Sequence, residues 1–135
     1  MVLDTSFCVA LFRERAGGRA GAATAWLANH AAEPVLVPVF VLCELSAGAE
    51  LSARRERETA RVERFAALVE TVNPGPEFAG LYGRVEAHLR RNGQAIPVMD
   101  LLIGVSALQA GARLVTHDSR HFHRIPGLEV VVLER

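Results

Sequence analysis

The chain predicts an α/β fold, a mainly parallel sheet covered by helices on both faces. Three observations carry this. Short, almost wholly apolar runs recur along the chain, and segments of helical period separate them. Runs of that kind suit strands buried on both faces, which is the environment of a parallel sheet. The 135 residues are also one domain's worth, enough to bury roughly two-thirds of the unfolded surface. No repeat, linker or low-complexity tract divides them, so one domain over residues 1–135 is expected.

Val2-Leu3 reads as a buried strand ending at Asp4, with Thr5-Ser6 supplying caps for a helix through Phe12. Gly17-Gly18 breaks that helix, and Ala20 to Ala32 reads as a second one leading into the strand Val35-Leu36-Val37. Pro38 opens a helix at its favoured first turn, carrying Glu44 and ending near Leu51. Arg54 to Glu70 has an amphipathic period, with Val62, Phe65, Ala66 and Val69 inward, and a short strand follows at Thr71-Val72. Pro76 begins a helix whose apolar face is Phe78, Leu81, Tyr82, Val85 and Leu89, closed by Arg90-Arg91-Asn92-Gly93. After Pro97, a helix containing Asp100 runs to Ala110-Gly111. Leu114-Val115-Thr116 is a buried strand, His117 to Arg124 a loop or short helical turn, and Val130 to Leu133 the last strand.

Composition excludes several classes. Every apolar run falls well short of the ~20 residues that span a membrane, and the N-terminus lacks the basic and apolar regions of a secretory signal, so a cytoplasmic protein is expected. Cys8 and Cys43 have no metal-site spacing and sit among apolar neighbours, which predicts two buried thiols. All 15 basic residues are arginine. Without lysine, a P-loop, a receiver-type phosphoacceptor and a Schiff-base enzyme are ruled out. A formal charge of zero means that any nucleic-acid surface must be local.

Aspartate occurs at three positions only, Asp4, Asp100 and Asp118, each against an apolar or helix-forming run. Asp4 and Asp118 follow the carboxyl ends of expected strands, where open α/β sheets bind ligands. Asp100 aligns with Ile103, Gly104 and Ala107, and Glu44 with Phe40, Val41 and Gly48, stripes expected to face inward. Singly, each Asp has a capping explanation, and Glu44 has one as the partner of a buried arginine. Four carboxylates together would repel one another unless a cation shared the site. A hard cation such as Mg²⁺ or Mn²⁺ takes oxygen ligands and activates water for phosphodiester cleavage. Ser6 and Thr116, two residues from Asp4 and Asp118, are placed to orient an oxygen there or to bond to local backbone.

The order Asp4-Thr5-Ser6, a helical Glu44, Asp100-Leu101-Leu102-Ile103-Gly104, Thr116-His117-Asp118, His121-Phe122 and Ile125-Pro126-Gly127-Leu128 resembles the PIN-domain family, and within it the VapC-type toxins of bacterial toxin–antitoxin pairs. The resemblance covers nearly the whole chain. It implies a three-layer α/β/α fold with four or five parallel strands and a Mg²⁺- or Mn²⁺-dependent endoribonuclease acting on tRNA or rRNA. It also implies a homodimer and inhibition by a VapB-type antitoxin. Asp4, Glu44, Asp100 and Asp118 would be the catalytic acids, with Asp4, Asp100 and Asp118 on the metal and Ser6 and Thr116 in support. Gln94 departs from the basic residue that relatives often carry after the glycine.

Two other readings stay open: a catalytically weak module that binds an antitoxin, and a nuclease of RNase-H-like type. His117, His121 and His123 fit no zinc spacing, so structural or surface roles are expected, with His121 nearest the site. The arginines between Arg54 and Arg64 alternate with glutamates, as on a solvated helix face. Arg90 and Arg91 are the better RNA-contact candidates, although dipole compensation explains them equally well.

Overall fold

The computed structural model describes residues 1–134. Five strands, β1 (Val2–Leu3), β2 (Leu36–Pro38), β3 (Glu70–Val72), β4 (Leu114–Thr116) and β5 (Val130–Val132), form one parallel sheet in the order β3-β2-β1-β4-β5. Six helices flank it: α1 (Thr5–Ala16), α2 (Ala22–Asn29), α3 (Val39–Glu50), α4 (Arg55–Leu68), α5 (Phe78–Arg91) and α6 (Val98–Ala110). This is the expected three-layer α/β/α arrangement. Val2 and Leu3 of β1 and all three residues of β4 have no exposed surface, because these central strands are covered on both faces. Val2 pairs with Leu36 on one side and Leu114 on the other.

Several boundaries differ from the sequence reading, for local reasons. The cap of α1 is Asp4 rather than Thr5 or Ser6: its carboxylate accepts from the Phe7 N–H at 2.9 Å, and Thr5 and Ser6 lie inside the first turn. Helix α2 is shorter than the expected Ala20–Ala32. Its free N–H groups are closed by Glu14 from α1, whose carboxylate accepts from Gly21, Ala23 and Thr24, and His30 leaves helical geometry at the other end. Cys8 is buried as expected, but Cys43 is exposed. The inward residues of α3 are Val41, Leu45 and Ala49, and Cys43 stands two positions off that stripe. The 117–124 segment contains a single 3₁₀ turn at Phe122–Arg124. Among the described residues, no helix is long and apolar enough to cross a membrane.

The sheet order positions the site. From β1 the chain moves outward through β2 to β3, then returns to the other side of β1 for β4 and β5. Neighbouring connections therefore diverge between β1 and β4, leaving a crevice beyond their carboxyl ends. Asp4 follows β1 and Asp118 lies two residues past β4. Gly111 ends α6 in the left-handed conformation, φ +63°, and turns the chain into β4.

Candidate active site

Asp4 is the deepest of the acids, 3% exposed. The Ser6 hydroxyl lies 2.8 and 2.9 Å from its two oxygens, Thr116 Oγ1 donates to Oδ2 at 2.5 Å, and the Phe7 N–H completes the shell. Burial pushes the carboxyl above its ordinary range, against the lowering effect of these donors, and the charge of Asp118 adds to the rise. Each hydroxyl also accepts from backbone, Thr116 locally and Ser6 across the sheet. Ser6 Oγ accepts from the His117 N–H at 3.0 Å and Thr116 Oγ1 from the Asp118 N–H at 2.9 Å, so they tie the ends of β1 and β4 together.

Asp118 is half-buried and held by Arg120. The Arg120 N–H donates to Oδ1 at 2.8 Å, and its guanidinium spans both oxygens, Nε at 3.1 Å and Nη2 at 3.0 Å. These hydrogen bonds hold the carboxyl below its ordinary range, chiefly through the guanidinium. Sequence reasoning missed Arg120. The available signal was a basic residue two places after an aspartate in a turn, where Asp side chains bond backbone N–H groups.

Asp100 enters from the first turn of α6, half-buried, with Ile103, Gly104 and Ala107 inward as expected. Its Oδ2 lies 2.7 Å from His121 Nδ1. Asp100, Asp118 and His121 can each offer one ligand atom such that all of these lie within 4.8 Å of one another. His117 has a structural role, its Nδ1 2.7 Å from the Leu133 carbonyl and its ring stacked on Phe7, while His123 is exposed.

Glu44 stands apart from that group. It has no arginine partner among the described residues, and its Oε1 accepts from Thr5 Oγ1 at 2.6 Å, beside a groove that also presents Arg13, Leu45, Arg61 and Val62. Arg90 bonds to Glu86 at 2.7 Å on the exposed face of α5, and Arg91 is exposed beside it; among the described residues no hydrogen bond or ion pair ties either to the acids.

The family model described as PIN domain matches residues 1–128. The tRNA(fMet)-specific endonuclease VapC of Salmonella typhimurium is 36% identical over 91 residues, 67% of this chain and 69% of that protein. The chain belongs to the PIN-domain family, in its VapC branch. Ribonuclease VapC2 of Rickettsia felis is similar to this PIN domain at 27% identity over 127 residues, 94% of this chain and 92% of that one. The crystal structure of VapBC2 from Rickettsia felis, bound to a DNA fragment from their promoter, has a TM-score of 0.88 with 25% identity and covers 98% of both chains. DNA-bound VapBC from Salmonella typhimurium gives 0.85 with 28% identity over 96% of this chain and 95% of that chain.

PIN nucleases work with divalent cations, and the donors present suit one. Ligand atoms on a small octahedral cation, at about 2.1 Å from it, stand about 3 Å apart when adjacent and about 4 Å when opposite. The 4.8 Å limit on Asp100, Asp118 and His121 is near enough for small side-chain rotations to close. The Asp4 carboxylate lies outside that group and is linked to the Asp118 backbone N–H through the Thr116 hydroxyl.

Proposed function

We propose that this VapC-type PIN domain, residues 1–135, is the endoribonuclease toxin of a toxin–antitoxin pair, using Mg²⁺ or Mn²⁺ held by Asp4, Asp100 and Asp118. The observation that supports this reading is the convergence of Asp100 and Asp118, with the Asp4 carboxylate near enough to Asp118 to feel its charge, in a chain of this family. A divalent cation held there would neutralise charge developing on the phosphate and favour ionisation of an attacking water. The chain's own residues do the positioning. Ser6 and Thr116 keep Asp4 oriented, and the backbone and guanidinium of Arg120 fix Asp118 at the mouth. Glu44, whose Oε1 accepts from the residue after Asp4, is the fourth acid of this reading.

RNA as substrate is supported by the tRNA-specific and ribonuclease relatives, and a VapB-type antitoxin as partner by the VapBC neighbours. Arg90 and Arg91 remain candidate RNA contacts, and a homodimer remains part of the reading. The PIN match displaces the RNase-H-like alternative.

The test is cleavage of a mixed tRNA and rRNA pool by antitoxin-free protein, with Mg²⁺ or Mn²⁺, with chelator, and with Asp100→Asn. Discrete fragments are expected with metal and wild-type protein, and at least a ~100-fold loss with the variant. Undiminished cleavage by Asp100→Asn, or in chelator, defeats the assignment. Folded protein that binds antitoxin tightly and cuts nothing would instead support an antitoxin-binding module.

A further inference from the structure

We propose that His121 supplies a nitrogen ligand to the cation of this site and thereby biases it toward Mn²⁺ over Mg²⁺. This rests on the metal-dependent reading above and concerns what the ligand set selects. The imidazole stands against the two acids that converge: Nδ1 lies 2.7 Å from Asp100 Oδ2, and a nitrogen of the ring falls within the 4.8 Å group completed by Asp118. The side chains of His121 and Asp100 are 20% and 24% exposed, so both are partly shielded and neither projects freely into solvent.

The backbone holds the ring there. Phe122 and Ile125, each 2% exposed, anchor the turn that carries His121, and they pack on α6 at Gly104, one helical turn beyond Asp100. A Cβ on Gly104 would overlap Ile125 Cδ1 and come within 3.6 Å of Phe122 and Leu128. The missing side chain lets the turn lie directly on the helix, which brings His121 to Asp100 rather than to one of the exposed arginines.

Chemistry then separates the ions. Mg²⁺ strongly prefers oxygen donors and retains its waters, whereas imidazole suits transition ions. Carboxylates joined by an imidazole are therefore a poorer set for Mg²⁺ than carboxylates alone, and a better one for Mn²⁺. If His121 only orients Asp100, both ions should gain from it in equal proportion.

The experiment uses the full chain, free of antitoxin. Mn²⁺ is titrated in and its free signal followed by electron paramagnetic resonance, Mg²⁺ affinity is measured by competition, and the bound Mn²⁺ is then examined by pulsed resonance for coupling to ¹⁴N. Wild-type protein should show that coupling through either ring nitrogen, and His121→Gln should abolish it while weakening Mn²⁺ ~10-fold more than Mg²⁺. His121→Asp, which restores an oxygen donor, should lose the coupling yet bind Mg²⁺ at least as well as wild type, which separates ligand chemistry from misfolding. Bound Mn²⁺ without nitrogen coupling, or an unchanged Mn²⁺/Mg²⁺ ratio in His121→Gln, overturns this inference and leaves the nuclease reading intact. Folded wild-type protein that binds no Mn²⁺ overturns both.

Discussion

The Asp118 carboxylate carries the Arg120 guanidinium at 3.0 Å, and Asp100 Oδ2 lies 2.7 Å from His121 Nδ1. Bare repulsion among four acids, the expectation from sequence, is therefore softened at Asp118 by Arg120. The strand ends placed Asp4 and Asp118 correctly because a two-residue turn leaves little freedom. The pairing of His121 with Asp100 spans 21 positions and depends on how a turn packs, which no local pattern encodes. Cys43 misled for a related reason, since apolar neighbours along a helix point to several faces. A different acid allows a pH test. Glu33 takes Arg113 on both oxygens, at 2.6 and 3.2 Å, and the N-terminal amine at 3.1 Å, and these partners hold its carboxyl down at about 2 against 4.5 unperturbed. A folded value below the unfolded one gives stability that is present above pH 4.5 and lost as pH falls toward 2. Glu33→Gln should therefore lower the urea midpoint at pH 7, with the gap to wild type closing between pH 4.5 and 2. A gap independent of pH would mean that the carboxylate charge contributes nothing.

At the scale of elements, α6 and the turn after β4 act as one unit. The stripe Ile103, Gly104 and Ala107 was legible from helical spacing, and so was a small residue at 104. What required coordinates was the segment that fills the space over it. Gly104→Ala puts a methyl group into Ile125, and in a packed core such an insertion costs about 1–3 kcal/mol. Urea unfolding should show that loss. The same variant should move the turn away from α6 and separate His121 from Asp100, visible as altered imidazole resonances in a histidine-detected NMR spectrum. A neutral substitution would mean that Ile125 swings aside, and the close approach would then not be what places the ring. Helix α3 adds a contact that spacing does not give: Glu44 Oε1 accepts from Thr5 of α1, the residue after Asp4, a neighbour set by helix packing rather than by sequence period.

Across the whole molecule, the sheet order accounts for why acids 114 residues apart act on one another. β1 and β4 are adjacent, parallel and wholly buried, so Asp4 and Asp118 leave the sheet on the same edge, and Thr116 joins them with one hydroxyl. Ligand binding at such a junction should report on global stability, because the groups it draws together come from β1, α6 and the turn after β4. A cation present at ~100 times its dissociation constant stabilises the folded state by about 2.7 kcal/mol, which for a domain of this size raises Tm by roughly 10 °C. Wild-type protein should show that rise with Mn²⁺ and Asp100→Asn should not. In chelator the same variant should melt close to wild type, because removing the Asp100 charge relieves repulsion from Asp118 and at the same time weakens the hydrogen bond to His121. A clear rise in the Tm of Asp100→Asn in chelator would instead show that the acids repel despite the Arg120 partner of Asp118, and that the folded chain holds this corner together at a net cost which the cation removes.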